Sequence, residues 1–398
     1  MASKVDWADQ TRKDVITFEM VSPTNIDQVY GELEGVELSG SSLTAAYYTD
    51  TRTSGRLVVH DGNWVRGSMI RVIHSVPEWG YRKELGTYIV TDDGATREKG
   101  HWTYELTLHS RLFGLSTDKH ARPWTIAKNA SALKATRQTL KASGTPYKEK
   151  SPKDKKYKDA VVVESGTTRL KALFDICEVA GNRLDVDTHG RVTISPMVKP
   201  SSKTAVWRID LKDSRGIAVD GLSRSTDWLQ MADVVAVSHK FSDKVQEPDG
   251  YYKTNGTKSD GTKYKKGDKK YKEKSVEREV TGIAKVSAST HQAHAKRGYS
   301  VVNFVSVSEM SPKTAAQAQK LAQKYLKDDQ HELVEWELTT MYRPIWEGDV
   351  VELVVHDGLK AYQGVRKCFV KSLDLNLKDM TMRLTLKETA SGDKGDTK

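Results

Sequence analysis

Alternation of apolar and polar positions dominates the first 120 residues. Val15-Ile16-Thr17-Phe18-Glu19-Met20, Gly35-Val36-Glu37-Leu38-Ser39 and Gly55-Arg56-Leu57-Val58-Val59-His60 read as half-buried strands, followed by runs at Gly67, Thr87 and Tyr104. Turn pairs such as Asp61-Gly62 and Asp93-Gly94 separate them, as in a barrel or sandwich. The last three runs return near the other end. Gly67-Ser68-Met69-Ile70-Arg71-Val72-Ile73 is answered by Gly348-Asp349-Val350-Val351-Glu352-Leu353-Val354. Thr87-Tyr88-Ile89-Val90 is answered by Cys368-Phe369-Val370, and Leu106-Thr107-Leu108 by Leu384-Thr385-Leu386. One glycine-led strand means nothing, but three runs in the same order and spacing read as a duplicated β module. Such a duplication lets a ring of few subunits present twice as many equivalent surfaces, which is a device of assembly rather than catalysis.

Between the two modules the periodicity changes. Ile126, Ala130, Leu133, Arg137 and Leu140 mark a weakly amphipathic helix. Thr167 or Thr168 is placed to cap a helix with Leu170, Leu173, Phe174, Cys177 and Ala180 on one face and Gly181 at its end. Arg183–Asp187 and Arg191–Ile194 then flank Thr188-His189-Gly190 as a hairpin, giving a small helix-hairpin unit. Strands are expected at Ala205–Ile209, Asp233–Ser238 and Tyr299–Val307. A further helix is capped by Ser311 and opened by Pro312, with Ala315, Ala318, Ala322 and Leu326 along one face.

A chain of 398 residues fits two to four domains. It shows no signal-like start and no membrane-length apolar run, the pattern of a soluble protein made in a cytoplasm. Its net charge of +10 is local. Residues 144–160 carry six lysines against three acids, and residues 251–274 carry nine against three, so the two segments hold +9 of the total. The rest is nearly neutral, which argues against a basic groove across a folded domain. The default for both segments is a solvated loop, with a long projecting hairpin as the alternative for the second.

Signs of catalysis are sparse. Metalloprotease, phosphate-loop, nucleophile-elbow and dinucleotide fingerprints are absent. His291 and His294 lack partners at metal-ligand spacing, Cys177 and Cys368 read as core, and Asp185 with Asp187 reads as the wet face of a strand. No catalytic residue, metal or cofactor is expected. Tyr147, Tyr157, Tyr251, Tyr252, Tyr264 and Tyr271 lie among the lysines, yet neither segment contains arginine, the better stacking residue.

Three stretches carry a family resemblance: the helix-hairpin unit from Thr168 to Val192, the alanine-rich helix Thr314–Ala322, and Tyr342-Arg343-Pro344-Ile345-Trp346-Glu347-Gly348-Asp349-Val350-Val351. Together they make the region from Val161 onward resemble the tail hub, or baseplate hub, proteins of bacteriophages, relatives of the hub part of contractile injection spikes. The resemblance implies an α+β, mainly β chain with two tube-like β-barrel domains and small helix-hairpin domains, in a trimeric, pseudo-hexameric ring. The implied layout is a first barrel over 1–125, a helix and lysine-rich linker over 126–160, and the helix-hairpin domain over 161–203. A second barrel over 204–388 carries a lysine-rich insertion at 245–278, and 389–398 is a disordered tail.

The implied role is a structural virion protein at the tail tip, assembled in the host cytoplasm. It would join the six-fold tube to the three-fold tip and gate genome ejection. Its partners would be tail or tube proteins above, tip, fibre or receptor-binding proteins below, and tape-measure protein in the lumen, with DNA only in transit and no stable membrane insertion. Since the sequence ends soon after the last barrel strand, wall-cutting activity is expected on another polypeptide. Candidate contact residues are Ile70, Val72, Leu106, Val351, Leu353 and Leu384 on the barrels, and Tyr264, Lys265, Lys266 and Tyr271 in the second lysine segment. Three competitors remain: a carbohydrate-binding β protein using Trp79, Trp102 and Trp124, a nucleic-acid-binding protein, and a hydrolase with a hidden site.

Overall fold

The computed structural model describes residues 7, 11–158, 160–212, 220–226, 232–253, 255–258, 262–287, 300–306, 312, 314–329, 334–356, 358, 360 and 363–389. His291, His294, Ser311 and the terminal segment 390–398 lie outside them. The chain divides into two compact units, Met1–Thr226 with Leu333–Lys398, and Asp227–Glu332.

In the first unit the opening alternation becomes β1 (Val15–Val21), β2 (Val29–Glu32), β3 (Val36–Ala46), β4 (Thr53–His60), β5 (Met69–Val76), β6 (Tyr81–Glu98) and β7 (His101–His109). Their order in the sheet is β3-β4-β7-β6-β5-β1-β2. The intervening module contains α1 (Leu112–Thr117), β8 (Trp124–Ile126), α2 (Ala132–Ala142), β9 (Tyr147–Glu149), β10 (Val161–Val163), α3 (Arg169–Ala180), β11 (Asn182–Val186) and β12 (Val192–Pro196). Thr168 caps α3 by accepting from Lys171 N, and Gly181 ends it at φ 70°. The expected helix from Ile126 begins instead at Ser131, whose hydroxyl accepts from Lys134 N, because Ile126 is held in β8 against Val161.

The first lysine segment is not a solvated loop. Tyr157 is buried, Asp154 accepts from Leu133 N at 3.1 Å at the start of α2, and Arg137 makes a two-pronged bond to Glu149 at 2.7 Å. The hairpin turn after β11 docks on β6, where Thr87 Oγ1 donates to Thr188 O at 2.7 Å. Gly190 is at φ 81°, and a Cβ there would sit 3.1 Å from Thr87 Cβ. Gly190→Ala is therefore expected to lower stability by about 1–3 kcal/mol through backbone strain and a loosened dock, measured by urea unfolding.

Strands β13 (Trp207–Asp210) and β14 (Asp220–Thr226) lead to the second unit, which holds β15 (Val234–Tyr251), β16 (Gly256–Thr257), β17 (Lys263–Tyr264), β18 (Lys269–Lys285), β19 (Val302–Ser306) and α4 (Ala315–Asp329). Its own small core comprises Ala232, Val235, Val237, Ala284, Ala322 and Leu326. The chain then returns to the first unit as β20 (Val334–Met341), β21 (Val350–Val355), β22 (Gly364–Asn376) and β23 (Thr381–Glu388).

The repeat in sequence is a repeat in structure. β5, β6 and β7 form a meander and β4 returns to pair with β7; β21, β22 and β23 do the same and β20 pairs with β23. Registers coincide: Met69 faces Ile89 as Val350 faces Phe369, and Leu57 faces Leu106 as Leu338 faces Leu384. Each long middle strand bulges at the same place, at Thr91 opposite Thr107-Leu108 and at Lys371 opposite Thr385-Leu386. A bulge inserts one residue and bends the strand, so matched bulges mean matched curvature. β3 and β14 are equivalent as well, each slipping in register at the same point of its partner: Glu37 and Ser42 of β3 face Val58 and Arg56 of β4, and Asp220 and Ser223 of β14 face Thr339 and Glu337 of β20. The modules differ at the flanking strand, since β1 is antiparallel to β5 and β13 is parallel to β21, in a register shift of β5 against β6 between Val72 and Ile73 that β21 lacks, and in the length of the slip, three extra residues on β3 against one on β14.

Two tube-like barrels are expected from the resemblance; among the described residues the strands form one 13-stranded sheet and no closed barrel. The cause is β22. Its first half pairs with β21, and after the bulge Ser372–Asn376 pair with Ala46–Ser42 of β3, fusing the modules. A single apolar core, from Phe18 and Leu43 to Leu384 and Leu386, runs under both.

Candidate assembly surfaces

Both modules open on the same turn. Ser68 N donates to Val65 O at 3.0 Å around Gly67 (φ 87°), and Asp349 N donates to Trp346 O at 3.1 Å around Gly348 (φ 78°). The left-handed glycine is what a type II turn requires at its third position. At the second turn the glycine is also needed for space, because a Cβ on Gly348 would lie 2.8 Å from the Tyr47 ring.

Around that second turn the two modules and the helix-hairpin unit meet through charged groups. Arg52 lies 3.5 Å from Asp185, Arg183 donates to the same carboxylate at 2.7 Å, and the Arg183 guanidinium stacks 3.6 Å above Tyr47. Arg52 also donates to Tyr47 O. Burial, with Arg183 beside it, holds the Arg52 guanidinium below its ordinary value. Glu347 retains some exposed surface, but its Oε2 is shut off from solvent and accepts no hydrogen bond. Burial, reinforced by the Asp185 charge, pushes this carboxyl up to about 8.

A second joint lies at the start of the chain. His74 is fully buried and bonded to Asp14 at 2.6 Å, while Arg12 donates to Tyr342 O at 3.2 Å and Trp7 packs edge-on against Tyr81 and Tyr342. Burial raises Asp14, but the bonds from His74 and Arg12 outweigh it and leave the carboxyl below its ordinary value. Nearby a cavity of about 590 Å³ is lined by β6 residues 82–88, the turn at Asp187–His189, and Tyr342, Pro344 and Trp346. Its rim mixes Arg82, Lys83, Glu84 and Asp187 with His189, whose Nδ1 lies 3.0 Å from Glu84.

The second lysine segment is a ribbon, the alternative to a solvated loop. β15 and β18 pair continuously from Val234↔Lys285 to Pro248↔Tyr271, a ladder of roughly 50 Å at the usual rise per residue. Among the described residues β19 joins at Val234–Ser238, and beyond that base the ribbon has two strands. Its outer part is tied by Lys274 to Glu247 at 3.3 Å and Lys270 to Asp249 at 3.2 Å. At the tip Tyr252 stacks on Tyr264 at 3.8 Å, Lys266 N donates to Asn255 Oδ1, and Lys265 N donates to Asp268. Tyr264 packs over Gly256 where a side chain would collide with it.

The sequence-predicted contact residues separate into two sets. Ile70, Val72, Leu106, Val351, Leu353 and Leu384 are fully buried in the shared core, where their surface is already spent within the chain. Lys265, Lys266 and Tyr271 are exposed and Tyr264 partly so, all at the outer end of the ribbon. Trp79 packs against Trp7, Trp124 stacks on His120 in the two-stranded β8–β10 sheet, and Trp102 alone is exposed on the large sheet. Cys177 and Cys368 are buried and free, and burial pushes both thiols up, Cys177 to about 11. Among the described residues no group of three or more His, Cys, Asp or Glu is placed to hold a metal, and no helix is long and apolar enough to cross a membrane. Sequence reasoning missed Glu347 and the edges of the sheet; Glu347 stands beside a required glycine in a quoted motif, and only nonlocal packing reveals its burial.

No protein-family model and no curated protein sequence matches the chain. Solved structures do. The tail protein from Neisseria meningitidis aligns with TM-score 0.61 at 13% identity, over 94% of this chain and 96% of that one. A 43 kDa prophage tail protein from Shewanella oneidensis aligns with TM-score 0.59 at 12% identity, over 95% and 98%. A prophage tail protein from Listeria monocytogenes aligns with TM-score 0.53 at 9% identity, over 94% and 95%. The fold of phage tail proteins is thus shared across nearly the full length, in keeping with the tail-hub resemblance of three short stretches.

Proposed function

We propose that this chain, built on the fold of phage tail proteins, is a structural hub protein of a bacteriophage tail. Three chains form a ring of six equivalent modules that joins a six-fold tube to a three-fold tip and gates the passage of the genome. The observation that carries this reading is the duplicated module, matched in strand order, register and bulge position. One chain with two such modules converts three-fold into near six-fold symmetry without a second gene product. The work of the protein is to bind neighbours, and no step of covalent chemistry is assigned to it. The ring would sit at the tail tip of the virion after assembly in the host cytoplasm, with tube proteins above, tip or fibre proteins below, and tape-measure protein and DNA in the lumen.

The lysine-tipped ribbon serves this reading as an arm to a neighbouring tail protein. A long two-stranded ribbon with both faces wet gains little from its own packing, and charged side chains along it also discourage edge-to-edge aggregation. Replacing residues 252–268 by a short turn is expected to leave the oligomeric state unchanged while cutting tail assembly or infectivity at least tenfold in a complementation assay; unchanged titres would remove the arm from the account. The reading as a whole is tested by gold-labelled antibody against the chain on intact particles. Label confined to the distal end of the tail is expected, and label along the tube or on the capsid would overturn it.

A further inference from the structure

The junction between the modules inside one chain is also a template for the junction between chains. Within the chain, β22 leaves β21 after Phe369, bulges at Lys371, and its second half pairs with β3: Leu373 with Ala45, Asp374 with Thr44, Leu375 with Leu43, and Asn376 with Ser42. In the first module β6 leaves β5 after Ile89 and bulges at Thr91. Its second half, Asp92–Glu98, then pairs on one side with β7, and on the other side no strand follows among the described residues. At one end of the sheet stands β14, the equivalent of β3, with no strand on its outer side among the described residues. The chain therefore carries both halves of a second junction, one on the open side of β6 beyond its bulge and one on β14.

We infer that Asp93–Thr96 of β6 pair antiparallel with Ser223–Thr226 of β14 in the next copy of the chain, in the register that β22 and β3 use within it. The inference rests on the ring proposed above and gives it a strand-level contact. Matched registers fix the pairs. Counting from the bulges and from the partner strands, Leu373, Leu375 and Asn376 correspond to Asp93, Ala95 and Thr96, while Ala45, Leu43 and Ser42 correspond to Thr226, Arg224 and Ser223. Asp93 thus faces Thr226, Ala95 faces Arg224 and Thr96 faces Ser223 of the neighbour. The two junctions differ in chemistry. Inside the chain the paired residues Leu373, Leu375, Leu43 and Ala45 are fully buried, as suits a permanent fold. Between chains the same face presents Asp93, which Arg66 of its own chain reaches at 3.4 Å, diagonally across from Arg224, an opposite-charge arrangement suited to a contact made on assembly. The contact is head-to-tail, so it closes into a ring only if the rotation per chain allows it; six equivalent modules in three chains supply that closure.

Cysteine pairing tests the register. Thr96 and Ser223 are exposed, and directly opposite strand residues stand about 4.5–5.5 Å apart at Cα, within disulfide reach. The full-length chain carrying Thr96→Cys and Ser223→Cys, oxidised mildly, is expected to give covalent dimers and trimers and nothing larger on a non-reducing gel. Thr96→Cys with Ser225→Cys, two residues out of register, is expected to give at least tenfold less. Asn376→Cys with Ser42→Cys, the equivalent pair within one chain, is expected to close an intramolecular bond and serves as the geometric control. Light scattering on the same samples separates the outcomes. A trimer with no crosslink at 96–223, while the control closes, overturns this junction and leaves the ring standing. A monomer at every concentration overturns both.

Discussion

Gly282→Ala is expected to unfold the second unit selectively, at a cost of about 3 kcal/mol or more. The reason is contact between backbones. Helix α4 lies on β18 so closely that a Cβ on Gly282 would fall inside the carbonyl carbon of Ala318 and the nitrogen of Gln319. The approach works because the facing helix positions are Ala318 and Ala322, both fully buried. Gln319 exploits the closeness, accepting from Ile283 N at 2.9 Å and donating to Ile283 O at 2.7 Å, so a side chain occupies the edge of β18 that another strand would otherwise take. A methyl group at 282 moves the helix, breaks both bonds and opens the core that Ala322 and Leu326 share with Val235 and Val237. Hydrogen exchange of the whole chain reads this directly: amides of β15 and β18 near their base are expected to lose protection while β4–β7 keep theirs. Gly114→Ala, at a helical glycine with open space around it, is the matched control and should be neutral or slightly stabilising. Unchanged exchange in β18 of the Gly282 variant would show that the helix does not sit on the strand in this way.

Glu347→Gln is expected to change how stability depends on pH. The carboxyl titrates near 4.5 in the unfolded chain and near 8 in the folded one, with burial the first cause and Asp185 the next. Between those values the folded state holds a proton that the unfolded state has released, so stability falls as pH rises through this window. It is fully present below about 4.5 and lost above about 8. The whole window is worth on the order of 5 kcal/mol. Glutamine keeps the shape and never ionises, so the variant should match the parent near pH 4.5 and exceed it increasingly up to pH 9 in urea unfolding. Parallel curves for the two proteins would mean that Glu347 is solvated in the fold. Since this carboxyl sits where both β modules meet the helix-hairpin unit, its ionisation bears on how firmly they are joined.

Features decided within a turn are legible in this sequence, and those decided by distant packing are not. Thr168 and Gly181 bracket α3 because capping is decided within a turn, and Gly67 with Gly348 marks the repeat because their turn demands a left-handed residue. The fusion of two expected barrels into one sheet depends on β22 meeting β3, strands more than 300 residues apart, and no local pattern encodes it. Tyr157 was hidden among lysines, although its ring is buried and its backbone bonds to Ala130. The ribbon lacked a strand signature because both faces of a two-stranded ladder are wet and carry charge. Alternation located Leu106 and Leu384 on inward faces, but a core face and a subunit face look alike in sequence, and only the fold distinguishes them.

The central claim is that three chains make one ring of six modules, and the most direct measurement is the mass of the purified full-length chain by light scattering across concentration and salt. The account predicts a species of three times the 44.5 kDa chain mass, holding its stoichiometry on dilution into the micromolar range. A mass of 44.5 kDa at every concentration, or an even-numbered assembly, would contradict it.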